Sequence, residues 1–129
     1  MEEEFQPRIV RDDKRLRRSD LQTAGLHREQ AFSSDGLWVG VVITEPGDMS
    51  AWHHHGDHDS YAYVVNGSKR IEHGPGGAQS ITAGPGDFIH VPKGLIHREG
   101  NPSTETSRSI AFRLGSGPAT INVEGPVGP

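Results

Sequence analysis

From residue 24 onward, the chain alternates short runs of β-branched and aromatic residues with clusters of glycine and proline. The clearest run is Leu37–Thr44, which ends at the turn sequence Glu45-Pro46-Gly47-Asp48. Further strand candidates follow at close spacing: Met49–His55, Ser60–Val65, Lys69–His73, Gln79–Thr82, Asp87–Val91 and Ser107–Leu114, with one more around Gly25–Phe32. Many short strands separated by turn residues predict an all-β sandwich or barrel.

The two ends of the chain do not share this pattern. Residues 1–23 are polar, with basic and acidic side chains interleaved, and a helical turn is conceivable only over Asp12–Leu21. Residues 115–129 are rich in glycine and proline, which favours an irregular surface segment. The sequence therefore predicts a polar N-terminal arm (1–23), a β-barrel domain (24–114) and a Gly/Pro-rich C-terminal tail (115–129).

Length and composition narrow the possible partners and compartments. A chain of 129 residues of which 32% are hydrophobic has room for one modest core. The net charge of −4, with no basic cluster near the histidines, argues against a nucleic-acid partner. The absence of cysteine excludes disulfides and thiolate metal sites. Because no apolar run resembles a secretory signal or a membrane span, we expect a cytoplasmic protein with no membrane partner.

Histidine is the residue type that indicates chemistry in this chain. Four of the eight histidines fall within six residues, at positions 53, 54, 55 and 58. Successive side chains of a strand point to opposite faces, so His53 and His55 share one face, about 6.7 Å apart, while His54 points away. Two imidazoles on one face can bind a single metal ion if a further ligand comes from elsewhere. His97, which follows another turn-rich strand segment, is the candidate for that ligand.

The spacing of these residues resembles the two sequence motifs of the cupin superfamily. Four positions of the first motif are matched, by Gly47, His53, His55 and Gly67, while Ser60 stands where the family has glutamate. The second motif is matched at every position, by Gly86, Pro92, Gly94, His97 and Asn101. The resemblance implies a cupin-type jelly-roll β-barrel (a double-stranded β-helix). It also implies one divalent metal ion per chain, held by His53, His55 and His97.

Ser60 leaves the fourth ligand position open, because a neutral hydroxyl is a poor ligand for a divalent ion. The site is either a three-histidine centre completed by water with Ser60 lining the substrate pocket, or one in which Asp59 or His58 takes the place of the glutamate. We favour the three-histidine centre, because strand alternation turns position 59 outward. Three neutral imidazoles leave the full charge of the ion on the site, which favours small anionic chelating substrates such as diketones, enolates and keto or hydroxy acids.

Three classes of function remain open at this stage. Cupins with three-histidine centres include oxygenases, so the resemblance implies a non-haem, metal-dependent dioxygenase. Iron is the expected ion, and nickel, manganese, zinc and copper also suit imidazole ligands. A metal-dependent isomerase, epimerase or cyclase would need a catalytic base, for which His58, Asp59 and Glu45 are candidates. A non-catalytic small-ligand-binding protein is the third class, since fold alone does not choose among them.

Aromatic residues add expectations about the pocket and the oligomer. Phe112 is a second candidate for the substrate pocket, although a core position is favoured for it and for Trp38. If Ser60 faces inward, alternation turns Tyr61 and Tyr63 outward. Two tyrosines on one outer face are typical of an interface, so we expect a homodimer through this face unless the N-terminal arm covers the rings.

Overall fold

The computed structural model describes residues 5–126, which form two antiparallel sheets of five strands each. The strands are β1 (His27–Ser34), β2 (Leu37–Thr44), β3 (His53–His54), β4 (Asp57–Asn66), β5 (Lys69–His73), β6 (Gln79–Ala83), β7 (Phe88–Val91), β8 (His97–Gly100), β9 (Ser107–Ser116) and β10 (Ile121–Asn122). One sheet has the order β1-β2-β9-β4-β7, and the other has the order β10-β3-β8-β5-β6. This arrangement confirms the predicted all-β jelly-roll fold.

The strand bounds agree with the sequence prediction in the middle of the chain and differ near the histidines. β2 and β5 have the predicted bounds, whereas β4 begins at Asp57 and absorbs most of the loop that was expected before Ser60. β8 was not predicted as a strand, and it pairs with both β3 and β5. In the tail, Ile121 pairs with His54, so the expectation of an irregular segment is wrong at this point.

The interior of the barrel is unusually polar. Its two hydrophobic clusters are small, one around Val64 and Ile71 and the other around Trp38 and Val42. β9 lies between β2 and β4, and its inward positions are Ser107, Ser109, Ala111 and Arg113, all buried. Polar side chains are buried in a core only where they find hydrogen-bond partners or bind a ligand. The composition of β9 therefore indicates a functional site inside the barrel.

The glycine of the Asn66-Gly67 turn has a steric role. Gly67 has φ +72°, a conformation that residues with a Cβ adopt only with strain. A Cβ at this position would also lie 2.6 Å from the Cα of Ser107. The backbone of the turn between β4 and β5 therefore packs directly against the start of β9, at the point where the chain passes from one sheet to the other.

The N-terminal arm lies against the edge of the first sheet. It contains two short 3-10 turns, at Asp12–Lys14 and Ser19–Leu21, in place of a longer helix. Leu16 pairs with Gln30 of β1, and Arg15 forms a 2.9 Å ion pair with Glu29. Within residues 5–126, no helix is long and apolar enough to cross a membrane.

Candidate metal centre

The three predicted histidines meet inside the barrel. His53 of β3 is paired directly with His97 of β8 across the antiparallel ladder, and the centroids of their rings are 4.4 Å apart. The ring of His55 lies 5.2 Å from that of His53 and 5.1 Å from that of His97. All three side chains are buried. Two strands of one sheet thus bring the imidazoles to a common point, as the spacing of the motifs predicts.

Backbone carbonyls fix the tautomer of all three rings. The Nδ1 atom of His53 donates to the carbonyl of Ala51 at 3.0 Å, and that of His97 donates to Leu95 at 2.9 Å. The Nδ1 atom of His55 donates to Ala119 in the C-terminal tail, also at 2.9 Å. A carbonyl oxygen can only accept, so Nδ1 carries a proton, and in the neutral form of each ring Nε2 keeps its lone pair. Histidine ligands of metal ions are oriented by this kind of bond.

A buried carboxylate, Glu99, lies beside the imidazoles. Its Oε2 atom is 2.8 Å from Nε2 of His53 and 3.4 Å from Nε2 of His97. Its Oε1 atom is 2.5 Å from the ammonium of Lys69, which also donates to Ser109 at 3.1 Å. One ligand atom from each of His53, His55, His97 and Glu99 lies within 4.8 Å of the others. Glu99 lies outside both sequence motifs' ligand positions and was not predicted as a ligand.

The protonation of these groups suits a cation. Burial lowers the pKa of His53 to about 4, against the opposing effect of Glu99. Burial and the positive charge of Arg113 hold the pKa of His55 well below its ordinary value. Burial alone would raise the pKa of Glu99, but the positive charge of Lys69 holds it well below the ordinary value. The neutral imidazoles of His53 and His55 therefore lie beside an ionised carboxylate.

These four residues fit a divalent metal ion. Ligand bonds of about 2.1 Å at angles between square and tetrahedral separate neighbouring donor atoms by about 3.0–3.4 Å. The contacts of Glu99 with the two histidines are 2.8 and 3.4 Å. In addition, Nε2 of His97 is buried and has no hydrogen-bond partner among residues 5–126. A cation at this point would satisfy that lone pair and would explain why two acceptors, Nε2 of His53 and Oε2 of Glu99, lie so close together.

The four-residue group borders a small cavity in the barrel. Ser60, Lys69 and Arg113 join His55, His97 and Glu99 on its polar side. The remaining wall is aliphatic and consists of Val42, Ala62, Ile71, Ile89, Val91 and Ala111. The space holds about one water molecule in this conformation. A larger ligand must displace side chains of the wall when it enters.

The other residues predicted from the sequence to line the site differ in whether they face the cavity. Ser60 lines the cavity as expected. Phe112 does not, because alternation along β9 turns Ala111 and Arg113 inward and leaves Phe112 39% exposed on the outer face. Asp59 also faces outward, where its Oδ1 atom accepts a 2.8 Å hydrogen bond from His90. Glu99, and not Asp59, joins the three histidines, so the Asp59 alternative and the favoured water-completed three-histidine centre are both corrected to a group of three histidines and one carboxylate.

His58 is buried but belongs to a different part of the barrel. Its Nδ1 atom donates to the carbonyl of His55 at 3.1 Å, and the residue borders a second cavity together with Trp38 and Gly115. It is not a member of the four-residue metal group within the described residues. Neither His58 nor Asp59 lines the cavity beside the histidines, which places both outside the position expected of a ligand or a base.

Comparison with solved structures places the architecture among double-stranded β-helices. A conserved protein with such a domain from Klebsiella pneumoniae is 20% identical with a TM-score of 0.72, over 94% of this chain and 95% of that chain. The polyketide cyclase RemF from Streptomyces resistomycificus is 18% identical with a TM-score of 0.71, over 92% and 86% of the two chains. An S161A mutant of oxalate decarboxylase from Bacillus subtilis is 21% identical with a TM-score of 0.67.

These likenesses concern the fold, and their extent differs between the three. The match to oxalate decarboxylase covers 80% of this chain but only 29% of the decarboxylase chain. A comparison with curated proteins found no match. The model of the cupin domain family matches residues 40–112, which is more than half of the chain and includes all four residues of the metal group. The chain belongs to the cupin domain family.

Proposed function

We propose that this protein is a metal-dependent dioxygenase that acts on a small anionic substrate able to chelate the ion. The proposal rests on one observation above all: three imidazoles share a tautomer that directs their lone pairs toward a single buried point beside Glu99. Such a donor set binds one divalent ion of the first transition series. Iron is our first choice, and manganese is the second, since the similar oxalate decarboxylase is described with Mn(II) centres.

The residues around that ion have different roles: they orient its ligands, exclude water or contact the substrate. When bound, the ion would act as a Lewis acid on the substrate oxygens and as the redox partner of molecular oxygen. Backbone carbonyls hold the three imidazoles in place, and Lys69 holds the carboxylate of Glu99 from the opposite side. The aliphatic wall excludes bulk water, which strengthens the interaction of charged groups within the cavity. Ser60, on the polar side of the cavity, is placed to hydrogen-bond an oxygen of the substrate.

The residues around the cavity favour a dioxygenase over an enzyme that removes a proton from its substrate. An isomerase, epimerase or cyclase needs a base that is free to take a proton from the substrate. Of the candidates named from the sequence, Asp59 is paired outside with His90, His58 lies at another cavity, and Glu45 is exposed beside Thr106. The ionisable groups that do line the cavity are engaged with one another, as in the pair Lys69–Glu99.

A second candidate function is kept because of this same pair. If Lys69 and Glu99 exchange a proton with the substrate, the ion needs only to polarise a carbonyl, as in an isomerase or cyclase. The polyketide cyclase RemF, whose structure is similar over most of both chains, supports this candidate. This alternative predicts turnover of a ketone or enolate without oxygen.

Oxygen consumption separates the two candidates. Protein loaded anaerobically with Fe²⁺ is mixed with acetylacetone, pyruvate or lactate, and oxygen uptake is followed with an electrode. The proposal expects uptake with at least one of these compounds, and it expects none after His97→Ala. In parallel, exchange of the α-hydrogens of acetylacetone or pyruvate with deuterium under nitrogen is followed by NMR. Exchange above the buffer rate without oxygen uptake would favour the isomerase or cyclase.

A further inference from the structure

Two arginines are completely buried in the barrel, and their hydrogen-bonding capacity is only partly used. Arg28 of β1 and Arg113 of β9 are each 1% exposed. Arg28 donates through Nη1 to the carbonyl of Leu21 and to the hydroxyl of Thr23, but its Nε and Nη2 atoms find no acceptor within residues 5–126. Arg113 donates through Nη1 to Thr120 at 3.3 Å, and its Nε atom also has no acceptor in the described chain.

Within residues 5–126, no buried carboxylate is left unpaired to balance the charge of these guanidinium groups. Among the buried residues of the described chain, Glu99 is the one carboxylate, and Lys69 already binds it at 2.5 Å. Burial and the positive charge of the nearby Arg28 together lower the pKa of Arg113 to about 9, against the opposing effect of Glu99. Removing an unpaired charge from water costs several kcal/mol. The folded protein buries both arginines despite that cost, which is typical of side chains that bind a ligand.

Arg113 has the position that a ligand-binding group requires. It lines the cavity together with His55, His97 and Glu99, so its guanidinium faces the same space as the proposed metal site. Its Cζ atom lies 4.6 Å from the centre of the Trp38 ring, which holds the side chain in one orientation. Arg28 is close enough to contribute a second positive charge to Arg113, to His55 and to Glu99.

We propose that Arg113, reinforced by the charge of Arg28, binds the carboxylate of the substrate inside the cavity. This inference rests on the proposed function and narrows it: of the anionic chelators considered, the site takes α-hydroxy or α-keto carboxylates and not diketones. One carboxylate matches the planar guanidinium, which neutralises the buried charge. The adjacent hydroxyl or keto oxygen is left to face the metal-binding residues. Because the cavity holds about one water molecule in this conformation, the ligand must be small and must displace side chains of the wall as it enters.

Lactate and lactamide provide the test, because they have the same shape and differ only in the charged end. Binding is measured by calorimetry in protein stripped of metal, and again in Co²⁺-loaded protein through the visible absorption of the cobalt. The variants are Arg113→Gln, Arg113→Lys and, as a matched control on the exposed face of the same strand, Arg108→Gln. Arg113→Lys keeps the positive charge but loses the planar guanidinium that can donate two parallel hydrogen bonds to a carboxylate. This variant therefore tests the proposal even if Arg113→Gln does not fold.

We expect metal-free wild-type protein to bind lactate at least tenfold more tightly than lactamide. Arg113→Gln should abolish that ratio, Arg113→Lys should reduce it, and Arg108→Gln should leave it unchanged. Equal lactate binding by wild-type protein and by both Arg113 variants would overturn the inference and leave Arg113 as a packing partner of Trp38. Failure of wild-type protein to bind Co²⁺ would instead refute the proposed function, while the metal-free comparison would still decide the role of Arg113.

Discussion

His53 and His97 form a directly opposed pair in the β3–β8 ladder, and the Nε2 atoms of both rings lie against the same oxygen of Glu99. The separation of the two rings is therefore set by backbone hydrogen bonds and not by loop conformation. Sites built on paired strands hold their ligands more precisely than sites built on loops. This pairing gives the proposed metal centre a rigid base on which His55 and Glu99 complete the donor set.

Removing the charge of Glu99 should weaken metal binding. Glu99→Gln deletes the carboxylate that contacts His53 and leaves the ammonium of Lys69 without its partner. We expect the affinity for Co²⁺ or Zn²⁺ to fall by about tenfold or more, as measured by competition with a chromophoric chelator. Glu45→Gln, at an exposed position outside the cavity, is the control and should bind like wild-type protein. Unchanged affinity in Glu99→Gln would remove Glu99 from the donor set.

The position of Glu99 shows which parts of the site could be predicted from the sequence and which could not. His97 and Glu99 are two residues apart, so alternation places both on one face of β8. That inference was open from the sequence, but it requires knowing that residues 97–100 form a strand, and their local pattern indicates a turn. The histidines were easier to place, because each sits in a motif whose spacing identifies it without any knowledge of the strands.

Other features follow from contacts that local sequence does not encode. On β9, hydrophobicity alone predicts Phe112 inside and Arg113 outside, but the structure has the reverse arrangement. The strand phase instead follows the polar interior, in which Ser107, Ser109 and Arg113 of β9 are buried. The hydrogen bond of His55 to Ala119 depends on a tail that follows β9, and a strand of two residues gives no periodic signal.

Metal-free protein should lose stability as the pH falls from about 6.5 to about 4. In the folded chain burial lowers the pKa of His53 to about 4, whereas its ordinary value is 6.5. Between these values the unfolded chain takes up a proton that the folded chain refuses, so acid favours unfolding. Each such histidine contributes about 1.4 kcal/mol per pH unit. Urea unfolding at pH 7, 5.5 and 4.5 measures the slope, which should be shallower in His53→Gln. Equal slopes in the two proteins would contradict the assignment.

The outer face of the first sheet is predicted to be a dimer interface. Tyr61 and Phe112 are each 39% exposed and Phe88 is 76% exposed, while Tyr63 packs against Phe88 at 4.9 Å between ring centroids. The described part of the N-terminal arm pairs with β1 through Leu16, at the far edge of the same sheet from β7. These rings therefore stay open to a second copy of the chain.

Sedimentation at micromolar concentration tests the dimer. We expect wild-type protein to sediment at twice the chain mass of 14.0 kDa, and Phe88→Lys to sediment as a monomer. Ile81→Lys is the matched control, because Ile81 is 49% exposed on the other sheet and should not affect association. A wild-type monomer would refute the interface. Dissociation by Ile81→Lys but not by Phe88→Lys would move it to the second sheet.

Asn101 of the second motif is predicted to stabilise the fold without contacting the ion. Its Nδ2 atom donates to the carbonyls of Thr44 and Glu105 at 3.0 and 2.8 Å, and the residue is 1% exposed. Asn101→Ala leaves these carbonyls unsatisfied and should lower the free energy of unfolding by about 2–3 kcal/mol. Chemical denaturation measures this change, and Ser103→Ala is a milder control. Weakened metal affinity at unchanged stability would assign Asn101 to the metal centre instead.

The metal content of purified protein tests the central claim most directly. Wild-type protein, His97→Ala and His90→Ala are stripped with chelator, reloaded with Fe²⁺ under nitrogen, desalted and subjected to elemental analysis. His90 is the matched control, because its ring lies outside the barrel and bonds to Asp59. The account predicts about one ion per chain in wild-type protein and in His90→Ala, and almost none in His97→Ala. Equal metal content in all three proteins, or none in wild-type protein, would contradict it.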